Sequence, residues 1–299
     1  MLRTGKRVLV SALIVLAVAL LAAEAVSVKD STGTQINLPA KAVRIVSLAP
    51  AITEAVYAAG ASVIGNTTYC NYPEAAKAVS KIGGYYAKAV NIEAIAQLKP
   101  DLVIGELSAH ESLKPALDKA GIKLMLVKLD TFEDIYAAIA LIGQVTGNTK
   151  ITAALTSAMK NRMKAVADKI RTIPDAKRPA LFWEVWHEPL MTAGPNTFIG
   201  QIIAAAGAKN VFSDIKEDWP VISFETVLAK NPDFIGSTFS HGAEMDNTKL
   251  AQRTGWSAMK AVANKRVLLF DDDIFSRPGP RFVDAVEMLA KALYPELFK

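Results

Sequence analysis

Apolar residues along this chain fall into two alternating kinds of run. Short blocks rich in β-branched residues, at 43–48, 62–67, 102–105, 123–129, 180–186, 234–237 and 266–270, predict buried strands. Between them, stretches with apolar positions three or four apart predict helices at 52–59, 92–98, 112–120, 132–145, 197–206, 224–229 and 282–294. Turn residues mark their ends: Gly60, Lys99-Pro100, Gly121, Gly147, Gly207, Asn231-Pro232 and Pro295. A lead at 27–42, with Gly33 as its turn, predicts a hairpin. Strands alternating with helices imply a mostly parallel sheet covered on both faces.

One stretch differs. Residues 148–172 are polar overall and free of Gly and Pro, and Ile151, Leu155, Met159, Met163, Val166 and Ile170 form one helical stripe. At ~1.5 Å per residue such a helix runs roughly 37 Å. It predicts a rigid connector between two α/β lobes, where a Gly/Ser linker would predict a free hinge. The expected organisation is a signal at 1–25, a first lobe at 26–147, the long helix at 148–173 and a second lobe at 174–299.

The lobes carry a repeat. Asn91-Ile92-Glu93-Ala94-Ile95 precedes Pro100-Asp101-Leu102-Val103, and Ser223-Phe224-Glu225-Thr226-Val227 precedes Pro232-Asp233-Phe234-Ile235, at a constant offset of 132 residues. Each reads as a helix cap, an apolar residue, a Glu and then Pro-Asp before a strand. Glu93 and Glu225 therefore occupy equivalent first-turn positions, where the helix dipole favours a carboxylate.

Composition narrows the class. The chain has 299 residues, an apolar fraction of 51% and a net charge of +5. That apolar fraction supplies a large core and excludes bulk disorder. Residues 1–25 combine Arg3, Lys6 and Arg7 with an apolar run at 8–23 broken only by Ser11, then Ala23-Glu24-Ala25, which predicts a secretory signal cleaved after Ala25. The 274 residues left carry 31 basic and 28 acidic side chains, too small an excess to predict nucleic acid or an anionic membrane as partner. Cys70 is the single cysteine, so no internal disulfide is expected, nor a lipid anchor on a cysteine at the signal junction. The expected product is soluble, exported, periplasmic and monomeric.

Enzyme chemistry has little support. His110, His187 and His241 are isolated in sequence, and no GxSxG, P-loop or GxGxxG is present. Asp271-Asp272-Asp273 reads as a solvated strand end, because consecutive acids cannot all face one cation. No metal site and no enzymatic cofactor are expected. Aromatic residues instead gather after strands: Tyr69, Tyr72, Tyr85 and Tyr86; Trp183 and Trp186 with His187; Trp219 before Pro220; and Phe275 with Arg277. Ligands of open α/β sheets bind beyond the carboxyl ends of strands, so two such lobes predict a ring-lined cleft for a large, flat, partly polar ligand. Trp183, mid-strand, and Trp256 read as core, Tyr72 as turn packing, and Cys70 as a small buried hydrophobe.

Arg44-Ile45-Val46-Ser47-Leu48-Ala49-Pro50 with Thr53-Glu54, Asn91-Ile92-Glu93 with Lys99-Pro100-Asp101-Leu102-Val103, and Arg277-Pro278-Gly279-Pro280-Arg281 resemble the periplasmic substrate-binding proteins of ABC importers for cobalamin, haem and ferric siderophores. The resemblance spans about residues 28–295 and implies two α/β lobes joined by one long helix. Trp186-His187-Glu188-Pro189-Leu190-Met191-Thr192-Ala193-Gly194 and Trp219-Pro220 look most like cobalamin-binding members. The ligand contacts so implied are Pro50, Ala51, Tyr69, Tyr85 or Tyr86, Trp186, His187, Met191, Trp219, Asp273 and Arg277. Met191 and Glu106 depart from the pattern, each standing where a family member has an aromatic residue. In such a site corrin faces pack on Tyr and Trp, and peripheral amides bond to Arg277 and Asp273. The family also implies that Glu93 and Glu225 pair with arginines of a two-fold symmetric permease. Alternatives of the same fold are a haem carrier, with Tyr69, Tyr86 or His187 toward the iron, or a ferric-siderophore carrier. Outside that class stand a metal-dependent, chelatase-like enzyme using Asp271–Asp273 and a sensor serving a membrane receptor.

Overall fold

The lead hairpin pairs β1 (Val26–Lys29) with β2 (Gln35–Leu38) in antiparallel register around Gly33, whose φ of +84° suits glycine. In this computed structural model residues 25–239 and 247–299 are described; residues 1–24 of the expected signal and His241 lie outside them. The first lobe follows as β3 (Ile45–Ser47), β4 (Val63–Asn66), β5 (Ser80–Lys81), β6 (Leu102–Glu106) and β7 (Leu124–Val127). They form one parallel sheet in the order β5-β4-β3-β6-β7. Every residue of β3 and β7 is buried, as expected of strands covered on both faces. The second lobe contains β8 (Ala180–Trp186), β9 (Met191–Thr192), β10 (Lys209–Asn210), β11 (Phe234–Phe239) and β12 (Val267–Asp271). Its parallel order is β10-β8-β11-β12, with β9 antiparallel on β8.

Local chemistry explains where helices start and stop. Thr131 and Asp134 cap Phe132–Thr146 reciprocally, and Gly147 closes it in the left-handed conformation. The sequence repeat is a structural repeat. Asn91 and Ser223 each accept a hydrogen bond from the backbone N–H three residues on. Asp101 accepts from the N–H groups of Val43 and Arg44 at the entry to β3, and Asp233 from that of Ala180 at the entry to β8. The equivalent Lys99 and Asn231 both take positive φ, 47° and 40°. Each Pro-Asp pair thus ends a helix and fastens its lobe's first strand.

The helix Thr149–Ile170 separates the two sheets in sequence; its 22 residues span ~33 Å. Met159, Val166 and Ile170 are buried on it as expected, but Ile151 is exposed and Thr152 buried. A row stepping by four residues rotates ~40° per step, so Ile151 stands about 80° from Met159 and leaves the packed face. Arg162 on this helix bridges Asp284 and Glu287 of the closing helix Phe282–Leu293, at 2.6 Å each. Across the lobes Phe132 stacks on Phe282, with centroids 4.2 Å apart. One continuous hydrophobic cluster therefore joins both lobes. Among the described residues no helix is long and apolar enough to cross a membrane.

Candidate functional site

The carboxyl ends of β3, β6, β8 and β12 border a groove between the lobes. One part of it is a cavity of about 660 Å³. Ala49, Pro50, Ala51, Tyr69, Tyr85, Tyr86 and Glu106 line it from the first lobe, and Trp186, Asp272, Asp273, Ser276, Arg277 and Pro278 from the second. A second cavity of about 880 Å³ adds Ala87, Lys88, Ser108, Ala109, Ser112 and Trp219. Tyr85, Tyr86, Glu106 and Ser276 border both, so the two form one groove. Drug-sized ligands occupy roughly 300–1,000 Å³; two adjoining cavities of this size suit a larger molecule.

Four rings on this groove, those of Tyr69, Tyr86, Trp186 and Trp219, are between 47% and 66% exposed. Such apolar area facing water is stabilised by a partner that covers it. Two glycines hold the ring-bearing loops. Gly83 has φ +110°, and a side chain there would meet the Ala89 carbonyl at 2.1 Å. That close approach lets Gly84 N–H bond Ala89 O at 2.9 Å and close the loop presenting Tyr85 and Tyr86. A side chain at Gly194 would meet the Glu217 carbonyl at 2.2 Å, and Gly194 N–H bonds Asp218 O at 2.8 Å. Thr192 N–H bonds Pro220 O, so the loop bearing Trp219 lies along β9.

The polar wall is built around Glu106. Its carboxylate accepts from the Tyr85 hydroxyl at 2.6 Å and the Ser108 hydroxyl at 2.9 Å. Its N–H donates to His110 Nδ1 at 3.0 Å, and the opposite ring nitrogen, Nε2, lies 2.7 Å from the Tyr85 carbonyl. That pattern suits a neutral imidazole with its proton on Nε2. Burial lowers the His110 pKa below the usual range, which keeps the ring neutral. Burial, and then the neighbouring Glu106 charge, pushes the Tyr85 hydroxyl far up, so it remains a donor.

An ion network crosses the groove floor. Glu54, 2% exposed, accepts from Arg277 Nη1 at 3.2 Å and from Arg281 Nε and Nη2 at 2.8 and 2.6 Å. Arg277 also bonds Asn71 Oδ1, Tyr69 O and the Asp273 carboxylate. Asn71 Nδ2 reaches the other Asp273 oxygen at 2.7 Å. Arg281 lies over the Tyr72 ring, 4.2 Å from its centroid.

A family described as periplasmic binding protein matches residues 45–274. The chain belongs to the periplasmic binding protein family. Over 285 residues it is 34% identical to the uncharacterized ABC transporter substrate-binding lipoprotein YvrC of Bacillus subtilis, covering 92% of this chain and 87% of that one. It is 29% identical over 273 residues to a cobalamin-binding protein of Halobacterium salinarum, covering 89% and 73%. Among solved structures it is similar to the periplasmic vitamin B12 binding protein BtuF of Vibrio cholerae, with a TM-score of 0.70, 25% identity and coverage of 87% and 99%. As a periplasmic binding protein of the vitamin B12, haem and siderophore group, it is a non-enzymatic, extracytoplasmic component of ABC import that binds a small molecule and delivers it to a permease.

Within this family frame, Pro50, Ala51, Tyr69, Tyr85, Tyr86, Trp186, Trp219, Asp273 and Arg277 meet on the groove. His187 and Met191 line neither cavity. His187 Nδ1 lies 3.8 Å from the buried Glu184, and the backbone of Met191 bridges Val221 beside the Trp219 loop. Phe275 is core, stacked on Phe270 and Trp183, because the chain turns into the short helix Asp272–Phe275 instead of continuing outward. Asp271–Asp273 is no mere solvated strand end. Asp271 caps that helix, Asp272 accepts from Ser276, and Asp273 joins the ion network. Arg277 borders the groove with its guanidinium already engaged by Glu54, Asn71 and Asp273. His110 was missed as a site residue; its sole sequence signal is its position four residues after Glu106, which ends β6. Glu93 and Glu225 are exposed in their helices' first turns. Glu225 is held below the usual carboxylate range by a backbone N–H and by Ser223.

Proposed function

We propose that this protein captures cobalamin or a related corrinoid in the inter-lobe groove and delivers it to an ABC permease. The observation that carries the reading is the convergence of Tyr69, Tyr86, Trp186 and Trp219, all exposed, on one groove between the lobes. Flat rings of that kind suit packing against the faces of a macrocycle. The ligand brings its own cobalt, so the protein needs to supply no metal ligands. The names of the Halobacterium and Vibrio proteins support the same ligand. Glu93 and Glu225, one per lobe, are the proposed contacts with the permease dimer. At an exposed rim they govern docking more than ligand affinity. The protein acts as a monomer in the periplasm after removal of residues 1–25.

A haem reading has one observation of its own: two tyrosines, Tyr69 and Tyr86, stand exposed on the groove, and a phenolate is an iron ligand. Titrating the mature protein with cyanocobalamin and with haemin, followed by tryptophan fluorescence, separates the two. The corrinoid reading expects one-to-one cyanocobalamin binding and much weaker haemin binding. Tight haemin binding with a shifted haem spectrum and no response to cyanocobalamin would replace it.

A further inference from the structure

We propose that Glu106 makes the groove select against ligands bearing carboxylates and favour those bearing amides, an inference that rests on the corrinoid reading. Two hydroxyl donors, from Tyr85 and Ser108, hold its carboxylate, and His110 fixes its backbone N–H. The group is therefore immobile where the two cavities join. A carboxylate offers about four acceptor positions, so two hydroxyl donors leave capacity for an N–H group of a ligand.

The surrounding charge does not cancel it. Arg277 and Arg281 are matched by Glu54 and Asp273 in the network already described. Lys88 shares the second cavity with Glu106, whereas in the first, which no lysine borders, Asp272 adds a second carboxylate. In the first cavity the charge left unmatched is therefore negative. An anion brought there meets like charge, whereas a carboxamide donates to the same oxygens. Corrin side chains end in amides, whereas porphyrin propionates are anionic. A fixed acid at this position distinguishes the two classes by repelling one of them.

The test compares cyanocobalamin with its three monocarboxylic acids, each having one propionamide hydrolysed, by calorimetry on the mature wild-type protein and on Glu106→Gln. In the wild type at least one monoacid is expected to bind tenfold or more weakly than cyanocobalamin, about 1.4 kcal/mol. In Glu106→Gln that ratio is expected to fall below threefold, whatever happens to the absolute affinities. Equal binding of all three monoacids to the wild type overturns the inference, as does a ratio that persists in Glu106→Gln. The wild-type comparison stands even where the variant does not fold. Failure of cyanocobalamin itself to bind the wild type overturns the corrinoid reading instead.

Discussion

Replacing Glu54 with alanine removes the buried anion that holds two arginines between the lobes. Three charge-assisted hydrogen bonds vanish, one from Arg277 and two from Arg281. Bonds to charged groups contribute ~1.5–3 kcal/mol each, but they do not add here. Arg277 keeps Asp273 and Asn71, and Arg281 keeps the Asp273 carbonyl and the Tyr72 ring. Removing one partner of a buried ion pair costs roughly 3–5 kcal/mol, and the retained partners place Glu54→Ala near the lower end, about 3 kcal/mol. At ~2.1 cal/mol/K of unfolding entropy per residue, each kcal/mol moves the Tm of a chain this long by ~1.7 °C, so the expected drop is roughly 5 °C. Thermal unfolding of wild type, Glu54→Ala, Arg281→Ala and the double variant measures it. The double-mutant cycle is expected to give a Glu54–Arg281 coupling of about 2 kcal/mol, within the range for residues sharing a network. A Tm within about 2 °C of wild type for Glu54→Ala, with no coupling, would refute the claim that this network clamps the lobes.

Trp219→Ala is expected to weaken cyanocobalamin binding by about 2 kcal/mol or more, roughly 30-fold, as for a central aromatic contact; unchanged affinity by calorimetry would remove Trp219 from the site. Glu93→Ala combined with Glu225→Ala is expected to leave ligand affinity intact while lowering transport in vesicles holding the permease and ATPase; loss of ligand binding would show that both residues are misplaced. Stability is expected to rise with pH below about 6.5, because burial lowers the His110 pKa and the unfolded chain, whose histidine has the ordinary value of 6.5, binds the extra proton first. That contribution is fully present above 6.5 and lost as pH falls toward the lower folded-state value. Urea denaturation across pH 5–7.5 should show this slope in the wild type and a flatter one in His110→Asn; identical slopes would contradict it.

Much of the architecture was legible because β-branched runs and turn residues act locally. The hairpin at Gly33, the longer strands of both sheets and the capped helices at Asn91 and Ser223 follow from short-range chemistry. The short strands β5, β9 and β10 were not legible, since each is only two residues long and exists through pairing with a distant neighbour. Ile151 shows the limit of a four-residue rhythm, which drifts off a helix face of period 3.6. At the site, the strand-end rule brought Tyr69 and Trp186 together on one cavity, which also holds Asp273, a residue the family resemblance had singled out. It could not reveal that Arg277 would be engaged by Glu54, 223 residues earlier in the chain. Nor could it reveal that Phe275 would fold inward onto Trp183. The first depends on how the lobes meet and the second on a turn into the short helix Asp272–Phe275, and no local pattern encodes either.

If the groove between the lobes is the corrinoid site, the cobalt of a bound corrinoid lies within it. Diffraction data collected at the cobalt absorption edge, from crystals of the mature protein grown with cyanocobalamin, test it most directly. The account predicts one anomalous peak per molecule, inside the groove bounded by Tyr69, Tyr86, Trp186 and Trp219. A peak on any other surface, or protein crystals without one at saturating ligand, would contradict it.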